Sequence, residues 1–412
     1  MKIAVVEFAG RGGMIHYAYQ LCDALSAAGA DVTLLTDRHY ELAQLPHRFR
    51  ADAMLRLWDP KPAHDVRSSA SGRAWRRVRR ALRALQYYRE WLRLIGRLRR
   101  ERPDVVQFGD IRFATDLLPL AVLRRLGLRL ADVCHNVRPF SGRWRSGALV
   151  RSSRASTAIY GHLYSQFDLI FAHFETNRRA IQETFDVGDR RVAAIVHGNE
   201  TIFERLRDPE VTPARLRAAL GLEPGQPVIL QFGTLTRYKG PETMIRALPG
   251  VLGSHARACL VFAGYPAPDF DLQACRRLAA ELGVDRAVRF VARYVESPAV
   301  AGWMELASVA VFPYRMVYQS GALMVALTFG VPVVATRVGA AADMVSDGHN
   351  GLLVEPENSA ALAHAVSRVL TDRDLAARLG RAARDDARLR FGWDGVAQAM
   401  LNEYGRLRGV TS

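Results

Sequence analysis

Two cations in a glycine-flanked loop are the first residues of this chain whose types and spacing could do chemistry. The run Phe232-Gly233-Thr234-Leu235-Thr236-Arg237-Tyr238-Lys239-Gly240 follows an apolar segment, and Arg237 and Lys239 leave its end together. Charge-assisted hydrogen bonds to phosphate oxygens are natural for such a pair. Lysine stands only at positions 2, 61 and 239, so one in this loop is noteworthy, although a charged surface turn would look the same. A second arrangement needs no side-chain charge. Tyr318-Gln319-Ser320-Gly321 precedes an apolar helical pattern through Leu323, Met324, Ala326 and Leu327 that stops at Gly330. Ser320 fits an N-cap, and the free amides over 320–323 would form an anion site. Thirdly, Gly10, Gly12 and Gly13 lie between a strand and a helix, where backbone can approach a bound group. Their spacing is not a dinucleotide fingerprint, and Asp31 precedes its strand instead of ending it, which disfavours a nicotinamide enzyme.

The chemistry suggested is the holding of a phosphorylated ligand. The two Asp-x-Asp runs, Asp269 to Asp271 and Asp372 to Asp374, read as caps and surface and not as magnesium ligands, so no metal and no cofactor is expected. No nucleophile triad and no convincing general base emerges from the residue pattern.

The elements that must position these residues follow from periodicity. Apolar, partly β-branched runs at 3–8, 31–36, 105–108, 130–134, 169–172 and 192–196 alternate with helix-length segments, as in a parallel sheet covered on both faces. Residues 204–226 carry Pro209, Pro213, Pro224 and Gly225 and read as a linker. The pattern restarts with runs at 228–232, 258–263, 288–291, 309–312, 333–336 and 351–354. The expected architecture is α/β, two Rossmann-like domains facing across a cleft, over 1–203 and 227–388. A final helix and tail, 389–412, is expected to cross back to the first domain.

Length and composition agree with this. A chain of 412 residues, with 49% apolar and 24% charged residues, holds enough material for two cores and is neither a disulfide miniprotein nor disordered. Cysteines at 22, 134, 259 and 275 form no close pairs, which points to a reducing compartment. With no apolar run of spanning length and no signal-peptide pattern at the start, a cytoplasmic protein is expected. The 57 Lys and Arg against 41 Asp and Glu give a net charge of +16, favouring anionic partners. Thirteen of the arginines fall between Arg67 and Arg102 against two acidic residues, with Trp75, Val78, Leu82, Leu85, Tyr88, Leu92 and Ile95 at spacings of three and four. A helix there would have one apolar stripe and one Arg face, able either to lie on an anionic membrane surface or to pack on its own domain. Nucleic acid is not an expected partner, because basic residues are not interleaved with aromatic platforms.

Taken in order, the motifs resemble the retaining glycosyltransferases of family 4. The likeness runs from the Gly12-Gly13 turn through His135-Asn136, His197-Gly198-Asn199, Arg237-Tyr238-Lys239-Gly240, Pro313-Tyr314 and Gln319-Ser320-Gly321 to Gly330–Thr336 and Asp347–Pro356. It implies the GT-B fold and transfer of a sugar, without metal, from a nucleotide-diphosphate sugar. By the resemblance, Arg237, Lys239, Gln319, Ser320 and Gly321 bind the donor diphosphate, and His135 faces the transferred sugar. Gly12, Gly13, His16 and Asn136 fall on the acceptor side. Two departures stand out. The family's paired glutamates are Val317 and Val325 here, and an arginine usual after the first glycine of the second-domain loop is Thr234. The Gln-Ser-Gly form is similar to a branch found among exopolysaccharide and lipid-linked oligosaccharide transferases, and with the basic helical segment it favours a polyprenyl-diphosphate-linked or other saccharide acceptor at the inner face of the cell membrane. The alternatives are an epimerase or hydrolase of the same fold, and a non-enzymatic membrane or nucleic-acid binding protein.

Overall fold

The computed structural model describes residues 1–57, 70–109, 111, 113–137, 154–185, 187–188 and 191–409, with backbone alone for 70–81 and 154–156. Two parallel sheets organise them. The first contains β1 (Lys2–Glu7), β2 (Asp31–Asp37), β3 (Arg50–Leu55), β4 (Val105–Phe108), β5 (Leu130–Cys134), β6 (Leu169–His173) and β7 (Val192–Ile195). The second contains β8 (Val228–Phe232), β9 (Cys259–Ala263), β10 (Val288–Val291), β11 (Val309–Phe312), β12 (Val333–Thr336) and β13 (Leu352–Val354). Their orders are 3-2-1-4-5-6-7 and 10-9-8-11-12-13, so each sheet reverses direction beside its first strand. Such a reversal opens a crevice at the carboxyl ends of the strands, where ligands bind in sheets of this kind.

Strands covered on both faces must be apolar on both faces, and β4, β5, β6, β8, β9, β11 and β12 are buried at every position. β3 has no counterpart in the expected strand list. It is an edge strand, exposed at Arg50 and Ala51 and carrying Asp52, so burial never imposed an apolar run on it.

The chain crosses between the sheets twice, and the crossings are tied together. After β7, the amide of Asn199 donates to the Phe391 carbonyl at 2.7 Å, and its side-chain amide donates to the Ala387 carbonyl at 2.9 Å. Trp393 Nε1 donates to the Asn199 carbonyl at 2.8 Å. The indole packs against Gly198, where a β-carbon would stand 2.3 Å from the ring. The last helix, Trp393–Leu407, then packs on the first helix, Gly13–Ala27, and its Tyr404 hydroxyl donates to Gln107 Oε1 of β4 at 2.6 Å. Between the crossings and β8, Pro213–Leu220 forms a helix that packs on the helix Val300–Leu306.

The basic segment forms one helix, Ala70–Glu101; Arg67, and the side chains of Trp75 and Val78, lie outside the described residues. Its apolar residues do not share a single stripe. Trp91, Leu94 and Leu98 are buried against the first sheet, while Leu82, Leu85 and Leu92 are 47%, 69% and 71% exposed. The inward face is selected by Trp91 Nε1 and the Tyr87 hydroxyl, which both donate to the buried Asp116 carboxylate, at 3.2 and 2.8 Å. That fixed polar anchor turns the leucines outward, correcting the expected pattern. Among the described residues no helix is long and apolar enough to cross a membrane, and all four cysteines are free and buried.

Candidate functional site

The carboxyl ends of both sheets open on one cavity of about 320 Å³. Its second-sheet wall begins where β8 ends. Gly233 and Thr234 lead to the single turn Arg237–Lys239, closed by Gly240 with φ 65°. A side chain at Gly240 would put its β-carbon 1.9 Å from the Pro313 carbonyl, so only glycine lets the loop dock against β11. The Lys239 ammonium lies 3.3 Å from where a Gly233 β-carbon would stand and 5.8 Å from the Tyr314 ring centre. Burial draws its pKa down to about 8, so it is charged at neutral pH, and an anion arriving beside it would favour that charged form further. Arg237 is not among the lining residues; its backbone amide donates to Asp269 at 3.3 Å. Asp271 and Asp372 accept from the third amides of their helices, at 2.8 Å each, as capping residues.

Beside Lys239 starts the helix Gly321–Thr328: a β-carbon at Gly233 would meet both the Lys239 ammonium, at 3.3 Å, and Ala322, at 3.1 Å. The Ser320 hydroxyl accepts from Leu323 N at 3.1 Å and lies 3.0 Å from the Tyr314 hydroxyl, which spends it on capping. Ser320 is buried behind the cavity wall, which Gln319, Gly321 and Ala322 form. The first amides of a helix have no intrahelical acceptor and carry partial positive charge, so this wall receives anions through backbone. Val325 also lines the wall; Val317 is buried outside it and uses its carbonyl to accept from Ala340 N at 3.1 Å.

The first-sheet wall is built on the turn after β1. Gly12 has φ 82°, and its amide donates to Glu41 Oε1 at 2.7 Å. The same oxygen is 2.7 Å from His16 Nε2, which lies 3.2 Å from Ser297 Oγ of the second half. Glu41 is held below the usual carboxylate range by His16 and the Gly12 amide, against burial, the largest single influence, which acts to raise it. Gly12, Gly13, His16 and His135 all line the cavity, whereas Asn136 is exposed and does not.

His135 is one of three neighbouring histidines, with successive rings tilted 43° to 49° to one another, that follow β5, end β6 and follow β7. His173 Nε2 lies 3.3 Å from His135 Nδ1, and the His173 ring is 5.0 Å from that of His197. Tyr17 meets all three edge-on, at 4.9 to 5.5 Å. Burial, helped by mutual repulsion, lowers His135 to about 3 and His173 well below the ordinary value; burial also lowers His197, to about 4. All three are neutral at physiological pH. His135 Nε2 has no hydrogen-bond partner among the described residues and stands at the cavity.

Sequence reasoning singled out the His197–Asn199 run only as a motif, and it missed the lining residues Tyr17, Glu200, Tyr294 and Ser297. Glu200 is 4% exposed, and burial pushes its carboxyl up to about 8. Its place directly after His197-Gly198-Asn199, before the apolar pair Ile202-Phe203, is the one signal that could have marked it.

Two Rossmann-like sheets that bring a lysine, open helix amides and a neutral histidine to a shared cleft define a protein of the GT-B type. Residues 11–201 match the family model Glycosyltransferase Family 4, and residues 226–372 match Glycosyl transferases group 1. The chain belongs to the family-4 glycosyltransferases. A D-inositol 3-phosphate glycosyltransferase of Streptomyces bingchenggensis is 33% identical over 231 residues, covering 54% of this chain and 49% of that one. A second, from Acidothermus cellulolyticus, is 32% identical and is matched over 53% of its length. The chain thus spans about half the length of these curated relatives. A glycogen synthase of Mycobacterium tuberculosis is 27% identical over 95% of this chain and 91% of its own. Among solved structures, Anabaena HepE in complex with UDP and glucose superposes with a TM-score of 0.72 at 17% identity, covering 98% of this chain and all of that one. Sucrose-phosphate synthase of Thermosynechococcus elongatus gives 0.70 at 21% identity, with 99% of both chains covered. These likenesses establish the two-domain GT-B fold.

Proposed function

We propose that the protein transfers a hexosyl group from a nucleoside-diphosphate sugar to a saccharide or lipid-linked acceptor, with retention of anomeric configuration and without a metal. The observation that carries this reading is the meeting of Lys239 and the open amides of Gly321 and Ala322 with His135 and the Gly12-Gly13 turn around one cavity. As the bond to the sugar breaks, negative charge collects on the departing diphosphate and positive charge on the sugar ring. Lys239 and the helix amides stabilise the former, oriented beforehand by Tyr314 and the Ser320 cap. Arg237, at the rim of the same loop, adds long-range attraction for the anion. Neutral His135 offers Nε2 to a hydroxyl of the transferred sugar, and the acceptor enters over Gly12, Gly13 and His16.

Uridine is the favoured base, since HepE is described with UDP and glucose. A lipid-linked acceptor, as in exopolysaccharide or cell-envelope glycan assembly at the inner membrane face, is supported by the outward face of the helix Ala70–Glu101. There Leu82, Leu85 and Leu92 share a side with Arg89, Arg99 and Arg100, all exposed. The test is a panel of uridine and guanosine sugar nucleotides offered with and without acceptor. Release of nucleoside diphosphate only when both are present supports transfer. Release without acceptor means hydrolysis, and no release from any donor removes the reading.

A further inference from the structure

A buried carboxyl, Glu200, lines the same cavity as Lys239 and Gly321, and a hydrogen bond occupies one of its two oxygens. Gln20 Oε1 accepts from the Ile202 amide at 3.2 Å, which turns Gln20 Nε2 toward Glu200 Oε2 at 3.1 Å. Oε2 is therefore an acceptor. Oε1 has no hydrogen-bond partner among the described residues and lies 3.5 Å from where a β-carbon on Gly321 would stand, at the amino end of the Gly321–Thr328 helix. The segment cannot swing away, because the Glu200 amide donates to Thr328 Oγ1 at 3.1 Å, and that hydroxyl donates to the Met324 carbonyl at 2.8 Å. No arginine or lysine pairs with Glu200 among the described residues.

We propose that Glu200 makes occupancy of the diphosphate site proton-linked: it accommodates the anion as a neutral carboxylic acid, presenting the Oε1 proton to a diphosphate oxygen, and repels it once ionised. This rests on the diphosphate site of the proposed function. The physical reason is short range. Two negative groups in one desolvated cavity cannot both be retained at low cost, whereas an O–H directed at an anion is a charge-assisted bond. Burial raises the Glu200 pKa and the Gln20 bond opposes it, leaving it at about 8. The titratable groups that line the cavity with it are His16 and Tyr17 from the first helix, His197 on its own segment, His135 after β5, and Lys239. His135 and His197 stay neutral above pH 7 and Tyr17 is raised by burial and by Glu200 itself, while Lys239 also titrates in the window.

The experiment is calorimetric binding of uridine and guanosine diphosphate to the full chain at pH 7 and pH 9, for the natural protein, Glu200→Gln and Gln20→Met. Both Lys239 deprotonation and Glu200 ionisation weaken binding in the natural protein as pH rises. Glu200→Gln keeps only the lysine limb, so its loss between the two pH values is about tenfold smaller. Gln20→Met withdraws the bond that favours the ionised form and moves the Glu200 limb to higher pH, a shift that a purely structural role for Glu200 would not produce. Parallel loss of affinity in Glu200→Gln and the natural protein, or an unmoved limb in Gln20→Met, overturns the proposal. Absence of binding by either diphosphate at both pH values would instead take down the nucleotide site itself, and this inference with it.

Discussion

Lys239 gains its role from a conflict between burial and charge. Desolvation lowers its pKa to about 8, so it is still an ammonium at neutral pH but a poorly solvated one, and an anion in the cavity supplies the compensation that water does not. Lys239→Ala should lower kcat/KM by 2–4 kcal/mol in transition-state terms, the order seen when one charge-stabilising donor is lost, while circular dichroism stays that of the natural protein. Near-normal turnover would remove it from the site. His135→Ala should depress transfer more than nucleoside diphosphate affinity, read by steady-state kinetics against calorimetry. Lys239 could be picked out in the sequence because lysine is so rare in it and glycines bracket the loop. Glu200 could not, because what changes its chemistry is desolvation by chain that folds over it, with Gln20 placed 180 positions earlier.

At the scale of elements, the helix Gly321–Thr328 and the basic helix each carry a consequence. Ser320→Ala removes the acceptor for Leu323 N and the partner of Tyr314, so the protein should lose about 1 kcal/mol in denaturant unfolding and bind nucleoside diphosphate more weakly. The outward leucines of Ala70–Glu101 should bring the protein down with anionic liposomes in a salt-sensitive way, and Leu85→Glu should reduce sedimentation. Equal sedimentation of that variant would exclude this face as the contact. The strands were legible because both sheet faces are covered, which forces continuous apolar runs such as Val228–Phe232. β3 was not, being an edge. The basic helix was legible as a helix but not in its orientation: several apolar spacings were available, and the choice came from Asp116, a partner that periodicity does not encode.

The whole molecule couples these parts through titration. The three histidines have folded pKa values below the unfolded value of about 6.5, so the stability they contribute is present above that pH and is lost as pH falls. Glu200 works the other way. Its folded pKa is raised, so its contribution is complete below the unfolded value of about 4.3 and is lost as pH rises toward 8. Each group changes stability by up to about 1.4 kcal/mol per pH unit within its window. Denaturant midpoints should therefore rise steeply from pH 4 to 6.5, then fall gently to pH 8, and Glu200→Gln should flatten the second limb. A profile that keeps rising to pH 8 would contradict the neutral carboxyl. Above these effects stands one spatial claim, that a diphosphate is gripped between Lys239 and the amino end of Gly321–Thr328, in the cleft between the two sheets. A crystal structure with bound nucleoside diphosphate tests it most directly. The account predicts phosphate oxygens at about 3 Å from Lys239 Nζ and from the Gly321 and Ala322 amides; a diphosphate bound elsewhere, with that cavity filled by solvent alone, would contradict it.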